Sequence, residues 1–291
     1  MYQIMCLVSG FLLAIVIMAN GTLTSHYGAY VAAVIVHIIG TIGSYIYMKA
    51  AKQTDRSEEK LPLWMYAGGI IGIATTVLQS MAFVHLGATA VMALSLFGQT
   101  ATALLVDGLG LFGMERRPLG KGTLVGVLVS LCGIGYMLVG AGEVKAVALF
   151  MAIAAGVSCV FSRLANAQLS LHTSAAGSTF TNHWVGLVGS ILLMLIAEPD
   201  IMGCLQVTGV PVWAFCGGIV AVGMITLWNV AGPKVSAFRL TLLSFVGQVF
   251  MGVVIDLFMG EGFSKQIFIG GVFVVAGVLL NMLTDRDKAE E

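Results

Sequence analysis

At 291 residues, with 14 basic and 14 acidic side chains balancing to a formal net charge of zero, the chain is 58% hydrophobic and only 10% charged. A soluble domain would carry about a quarter charged residues, so that class is excluded. The charges bunch between apolar runs of about 18 to 24 residues, each long enough to cross a ~30 Å hydrocarbon core as a helix.

Taken in chain order, ten spans fit: about 2–22, 28–48, 62–83, 88–111, 122–140, 146–165, 175–196, 211–231, 239–259 and 267–284. The first has no basic segment before it and no small-residue cleavage pattern after it, so it reads as a span, not a removable signal peptide. Trp64 and Trp213 open spans 3 and 8, where amphipathic rings favour the headgroup layer. Joints carry Arg117-Pro118, Glu198-Pro199 and Gly232-Pro233, residues that punctuate helices. Strands are a poor fit, because the apolar runs do not alternate and are about twice the length of a barrel strand. Gly122-x-x-x-Gly126 in span 5 could be a helix-packing motif, leaving a homodimer open. The five cysteines are scattered in apolar sequence with no metal spacing; no metal site, cofactor or disulfide framework is expected.

Basic residues set the orientation. Lys49, Lys52, Arg56 and Lys60 lie between spans 2 and 3, and Arg116, Arg117 and Lys121 between spans 4 and 5. Arg163, Lys234, Arg239, Arg286 and Lys288 fall on the same side of a ten-span layout, leaving only Lys145 and Lys265 opposite. The positive-inside rule makes the populated side cytoplasmic, with both termini there, in a cell inner (plasma) membrane.

The chain also repeats itself. At an offset of 146, ten positions recur between residues 10–44 and 156–190, including Gly10/Gly156, Asn20/Asn166, His26/His172, His37/His183, Gly40/Gly186 and Gly43/Gly189. At an offset of 149, Pro62, Trp64, Gly68, Gly69, Ser95, Gly98, Gln99 and Asp107 recur as Pro211, Trp213, Gly217, Gly218, Ser244, Gly247, Gln248 and Asp256. Rare Asn, His, Trp and Gln pairs in register are hard to obtain by chance. The halves, 1–142 and 143–291, hold five spans each, an odd number, so the second enters the membrane from the opposite face. Inverted repeats of this kind are characteristic of secondary transporters, with a site near the midplane at the repeat interface.

The A-N-x-x-L of spans 1 and 6, the H-x-x-G-x-x-G of spans 2 and 7, and the G-Q-x(7)-D of spans 4 and 9 resemble the drug/metabolite transporter superfamily, in its YdcZ-like, EamA-related branch. That resemblance covers essentially the whole chain. It implies an all-α integral membrane protein of ten transmembrane helices in two inverted five-helix repeats, with helices 1–4 and 6–9 around a central cavity. It also implies carrier transport of small organic solutes. The branch often places a Gln four residues before the span-1 Asn; here Val16 and Ser162 hold those places, so no contact by that Gln carries over.

Depth at 1.5 Å per residue ranks the polar candidates. His37 and His183 lie near the midplane; each could tie helices together by a hydrogen bond, or line a cavity and take a proton during transport. Gln99 and Gln248 are also deep, and a buried amide must find partners or water, so each bridges helices or reads the substrate. Asn20 and Asn166 are expected to end their spans, capping or lining a cavity mouth, with His26 and His172 in the short loops that follow. Asp107 and Asp256 fall near helix ends, as structural anchors or as gating and coupling groups. Arg163, whose repeat partner is Ile17, is expected either to snorkel to the headgroups or to form a cationic wall of the cavity. Gln79, Asn182, Trp228 and Asn229 break the repeat, against Trp228, Val36, Gln79 and Ser80 respectively, and are the best candidates for substrate discrimination.

The function expected is a secondary transporter of small metabolites working by alternating access, its partners being membrane lipids and a small-molecule substrate, with no nucleic acid. No Walker loop, metal cluster or Ser/His/Asp set is present, so an enzyme lacks its parts. Rival readings are a non-transporting membrane subunit and a lipid-carrier flippase. A polar centre would favour the carrier and a closed apolar centre the subunit.

Overall fold

The computed structural model describes residues 1–52, 60–114, 116, 121–139, 146–198, 200–205, 208–259, 265–266 and scattered positions between 269 and 280, without the side chains of 86–90, 93, 121–123, 137–138, 146, 205, 252–253 and 255–259. Among the described residues all regular structure is helical: α1 (Tyr2–Tyr27), α2 (Ala29–Ala50), α3 (Gly68–Leu109), α4 (Lys121–Leu138), α5 (Ala146–His172), α6 (Ala175–Ala197), the short α7 (Ile201–Leu205), α8 (Gly217–Ala231) and α9 (Ala237–Met259). Six stretches are long and apolar enough to cross a membrane: Tyr2–Tyr27, Ala29–Ala50, Leu63–His85, Val147–His172, Ala175–Ala197 and Val212–Lys234. Shorter apolar helices occupy Leu94–Leu109, Leu124–Tyr136 and Ala237–Met251.

The α3 stretch cannot be straight. Ser158 on α5 donates to the Ile71 carbonyl at 2.8 Å, while Gly98 packs on the carbonyl of Ile153, five residues away on α5. A straight helix would put Ile71 and Gly98 about 40 Å apart. The stretch therefore doubles back, and both of its arms lie on α5. The corresponding joint in the second half is open: α8 runs into a 3-10 turn at Gly232–Lys234, and α9 begins after Ser236.

Small residues set several helix crossings, and some of those crossings occur twice. A Cβ on Gly10 would lie 1.8 Å from the Ser244 carbonyl oxygen, and one on Gly156 2.1 Å from that of Ser95. Gly247 would strike the Leu7 carbonyl at 2.1 Å, and Gly98 that of Ile153 at 2.2 Å. So α1 crosses α9 as α5 crosses the second arm of α3, at positions the 146 and 149 offsets relate. The match extends further: Gly43 meets Ile219 and Val222, while Gly189 meets Ile73 and Ile70. The entry turns repeat as well. Pro62 and Pro211 precede the 3-10 turns Leu63–Ala67 and Val212–Cys216, with Trp64 37% and Trp213 39% exposed.

A Cβ on Gly277 would touch the Gly126 carbonyl and Ser130 of α4.

Candidate functional site

Two helical hairpins bring the site together. In the first, α1 turns at Gly28, whose φ of +76° suits glycine, into α2; in the second, α5 turns at Ser174 into α6. Ser174 is an N-cap, its Oγ accepting the Gly177 N–H at 2.9 Å. The two hairpins face each other through their histidines. His37 and His183 are 4% and 1% exposed, with ring centroids 5.7 Å apart in an edge-to-face arrangement. Each ring rests on a glycine of the other hairpin: His183 beside Gly40 and His37 beside Gly186, where a Cβ would lie 2.3 Å from the imidazole. None of the four ring nitrogens has a hydrogen-bond partner among the described residues.

These rings border a central cavity of about 90 Å³. Asn20, Gln79 and Gln99 line it from α1 and α3, and Asn166, Asn182 and Trp228 from α5, α6 and α8. Hydroxyls of Thr75, Thr76, Ser95 and Ser162 and apolar groups such as Val16, Met224 and Ile225 complete the wall. No carboxylate among the described residues lines it. Its wall is mostly apolar, with amides, hydroxyls and the two imidazoles set into it from both halves of the chain, and no charged side chain among the described lining residues.

The asparagines are not at helix ends. Asn20 lies inside α1 and Asn166 inside α5, both buried. The helices continue beyond the hydropathy drop because glycines make room for the amides: Gly217 packs on Asn20 Oδ1 and Gly68 on Asn166 Oδ1. His26 and His172 accordingly sit in the last helical turns and not in loops; His26 Nδ1 lies 2.8 Å from the Thr22 carbonyl oxygen. Asn166 Nδ2 donates to Asn182 Oδ1 at 2.8 Å. The first half has no equivalent, since Val36 stands opposite Asn20.

Other candidates lie outside the cavity. Asn229 donates to Thr179 Oγ1 at 3.0 Å and holds α8 to α6. Gln248 is buried in α9 and does not line the cavity. Asp107, at the end of the second arm of α3, accepts the N–H groups of Ala237 at 3.0 Å and Phe238 at 2.9 Å. Ser236 Oγ accepts the Arg239 N–H at 3.1 Å, so the buried start of α9 has its first donors satisfied. The Asp256 side chain lies outside the described residues, as do Arg56, Arg117, Lys145, Arg286 and Lys288.

Arg163 does not snorkel. It is 6% exposed, its Nη2 donates to Thr241 Oγ1 at 2.8 Å, and its guanidinium lies 5.2 Å from the Trp228 ring centroid. Trp228 is held in turn by its indole N–H, which donates to Ser9 Oγ at 2.9 Å. Thr241, Ser9 and the Thr75–Ser158 pair were not among the sequence candidates; a hydroxyl in an apolar run is too common to mark a site without the contact itself.

A family model described as "Putative inner membrane exporter, YdcZ" matches residues 1–136 and 147–280. No curated protein matches the sequence. One solved crystal structure, described only as that of a protein, has the same fold: TM-score 0.66 over 97% of this chain and 98% of that chain, at 17% identity.

Proposed function

The chain belongs to the DMT_YdcZ family of inner membrane exporters, and from that premise we propose a secondary transporter that moves small organic metabolites by alternating access through the His37–His183 centre. In this reading the chain forms ten transmembrane helices in two inverted five-helix halves, 1–142 and 143–291, with both termini cytoplasmic. The doubled crossings at Gly10 and Gly156 and the reciprocal glycine–histidine contacts support that symmetry. A two-fold related pair of gates around one site is what alternating access needs.

The observation that carries the proposal is the cavity between the two halves, whose mainly apolar wall is set with amides, hydroxyls and the rings of His37 and His183. Four buried imidazole nitrogens without partners are costly to keep, at about 1–3 kcal/mol for each polar group. A hydrogen-bonding solute entering the cavity would offset that cost. A non-transporting subunit has no use for such a centre and would gain stability by filling it with apolar side chains.

Reconstitution tests this. Proteoliposomes holding the full chain are expected to accumulate at least one member of a small-metabolite panel, and His37→Ala and His183→Ala should each lower that uptake at least tenfold. Comparing uptake with and without an imposed pH gradient tests proton coupling. If both variants keep full transport and the same gradient dependence, the histidine centre is not the site.

A further inference from the structure

The transporter reading leaves Arg163 unexplained. It is a buried cation on α5, 6% exposed, with its Nη1 lacking a hydrogen-bond partner among the described residues. Thr241 and the Trp228 face are its neighbours, and no ion pair joins it to a carboxylate among the described residues. An uncompensated buried charge is strongly destabilising, and an ionisable group within a membrane span is usually tied to function.

Its surroundings show what could pair with it. Arg163 and Trp228 border a small chamber of about 20 Å³. Trp228 also lines the central cavity, so the indole is the partition between that cavity and the guanidinium. On the opposite side Gln79, the repeat equivalent of Trp228, also lines both the cavity and a chamber, of about 10 Å³. That second chamber is walled by Ile17, the equivalent of Arg163. The site thus has a cationic end and a neutral amide end, and no carboxylate among the described residues lines the space between them.

Resting on the carrier reading, we infer that the cargo is a small organic anion, its carboxylate or phosphate group neutralised by Arg163 once the Trp228 ring turns aside. The planar guanidinium fork suits such oxyanions, which it can bind through two parallel N–H donors. The far end of the solute meets the amides of Gln79 and Gln99. Displacing Trp228 gives up its contact with the cation and its indole hydrogen bond to Ser9, and the charge-assisted pair that Arg163 gains with the oxyanion offsets both.

Three probes of one shape separate the possibilities: radiolabelled benzoate, benzamide and benzylamine, measured by equilibrium dialysis against the purified full chain in detergent. Benzoate is expected to bind at least tenfold tighter than benzamide, with benzylamine weakest. Arg163→Met should abolish that preference, with benzoate binding no tighter than benzamide. Its thermal midpoint should hold or rise, since an unpaired buried charge is removed; a purely structural arginine would instead lower it. If Arg163→Met does not fold, Arg163→Lys keeps the charge, loses the fork, and should bind benzoate more weakly than the unaltered chain. Benzamide or benzylamine bound as tightly as benzoate, or benzoate binding untouched in these variants, overturns the anion assignment and leaves the carrier reading standing. Binding of none of the three also overturns the anion assignment, whereas the carrier reading falls only if no member of the metabolite panel is taken up.

Discussion

The two sides of the central cavity share a backbone plan and differ in what they present. On the α1–α3 side stand Ile17, Gln79 and Ser80; on the α5–α8 side, Arg163, Trp228 and Asn229, at the corresponding positions. The second side is wired: Asn166 to Asn182, Asn229 to Thr179, Arg163 to Thr241. On the first side Asn20 Oδ1 has no partner among the described residues. The glycine crossings beneath them are nearly the same. Where a Cβ would sit about 2 Å from a carbonyl oxygen, only glycine fits, and the two copies cannot diverge. Where side chains meet open space they can, and there they have.

The strongest way to break this comparison is at the crossings. Gly10→Ala and Gly156→Ala push a methyl into a backbone carbonyl that has no rotamer to escape by, and each is expected to cost about 3 kcal/mol. Unfolding of the detergent-solubilised protein should show losses of similar size. A large loss at only one glycine would mean the crossings are not equivalent. A smaller effect is expected at Asp107, where Asp107→Ala removes the acceptor for two buried N–H groups at the start of α9; about 1–2 kcal/mol is expected in the same measurement. Smallest is Asn182→Val, which installs the first half's residue in the second. One interhelical hydrogen bond is lost, worth about 0.6 kcal/mol, so stability should barely move. Transport across the metabolite panel should nonetheless change in rank, because the substitution alters the cavity wall. An unchanged rank would take Asn182 out of substrate selection.

Much of the plan was legible from the amino acids, because rare residues recur at fixed offsets and span lengths are set by the bilayer. The meeting of His37 with His183 follows from their matching depths. The helix ends did not follow so well. Asn20 and Asn166 sit where hydropathy falls, and hydropathy counts composition along one chain segment. It does not see that Gly217 and Gly68, some 200 and 100 residues distant in sequence, open a notch for each amide. Arg163 misled for the same reason. A cation 17 residues into a helix that begins at Ala146 reads as near an inner surface, yet its place is decided by Trp228 and Thr241 on other helices. Depth can be counted along one span; facing cannot.

The reciprocal seats of the two histidines bear on how such a chain could arise. Each half supplies the glycine on which the other half's imidazole rests. In a fused chain, building both seats from nothing takes four separate substitutions, and an imidazole placed before its glycine would collide with a methyl. In a pair of identical half-length subunits related by a two-fold, one glycine change and one histidine change create both seats at once, since a contact from one copy to the other is returned. If the two halves descend from one such unit, the double seat is more readily reached there than in the fused chain. Arg163 and Trp228, by contrast, are a pair that no symmetric assembly could hold on one side alone.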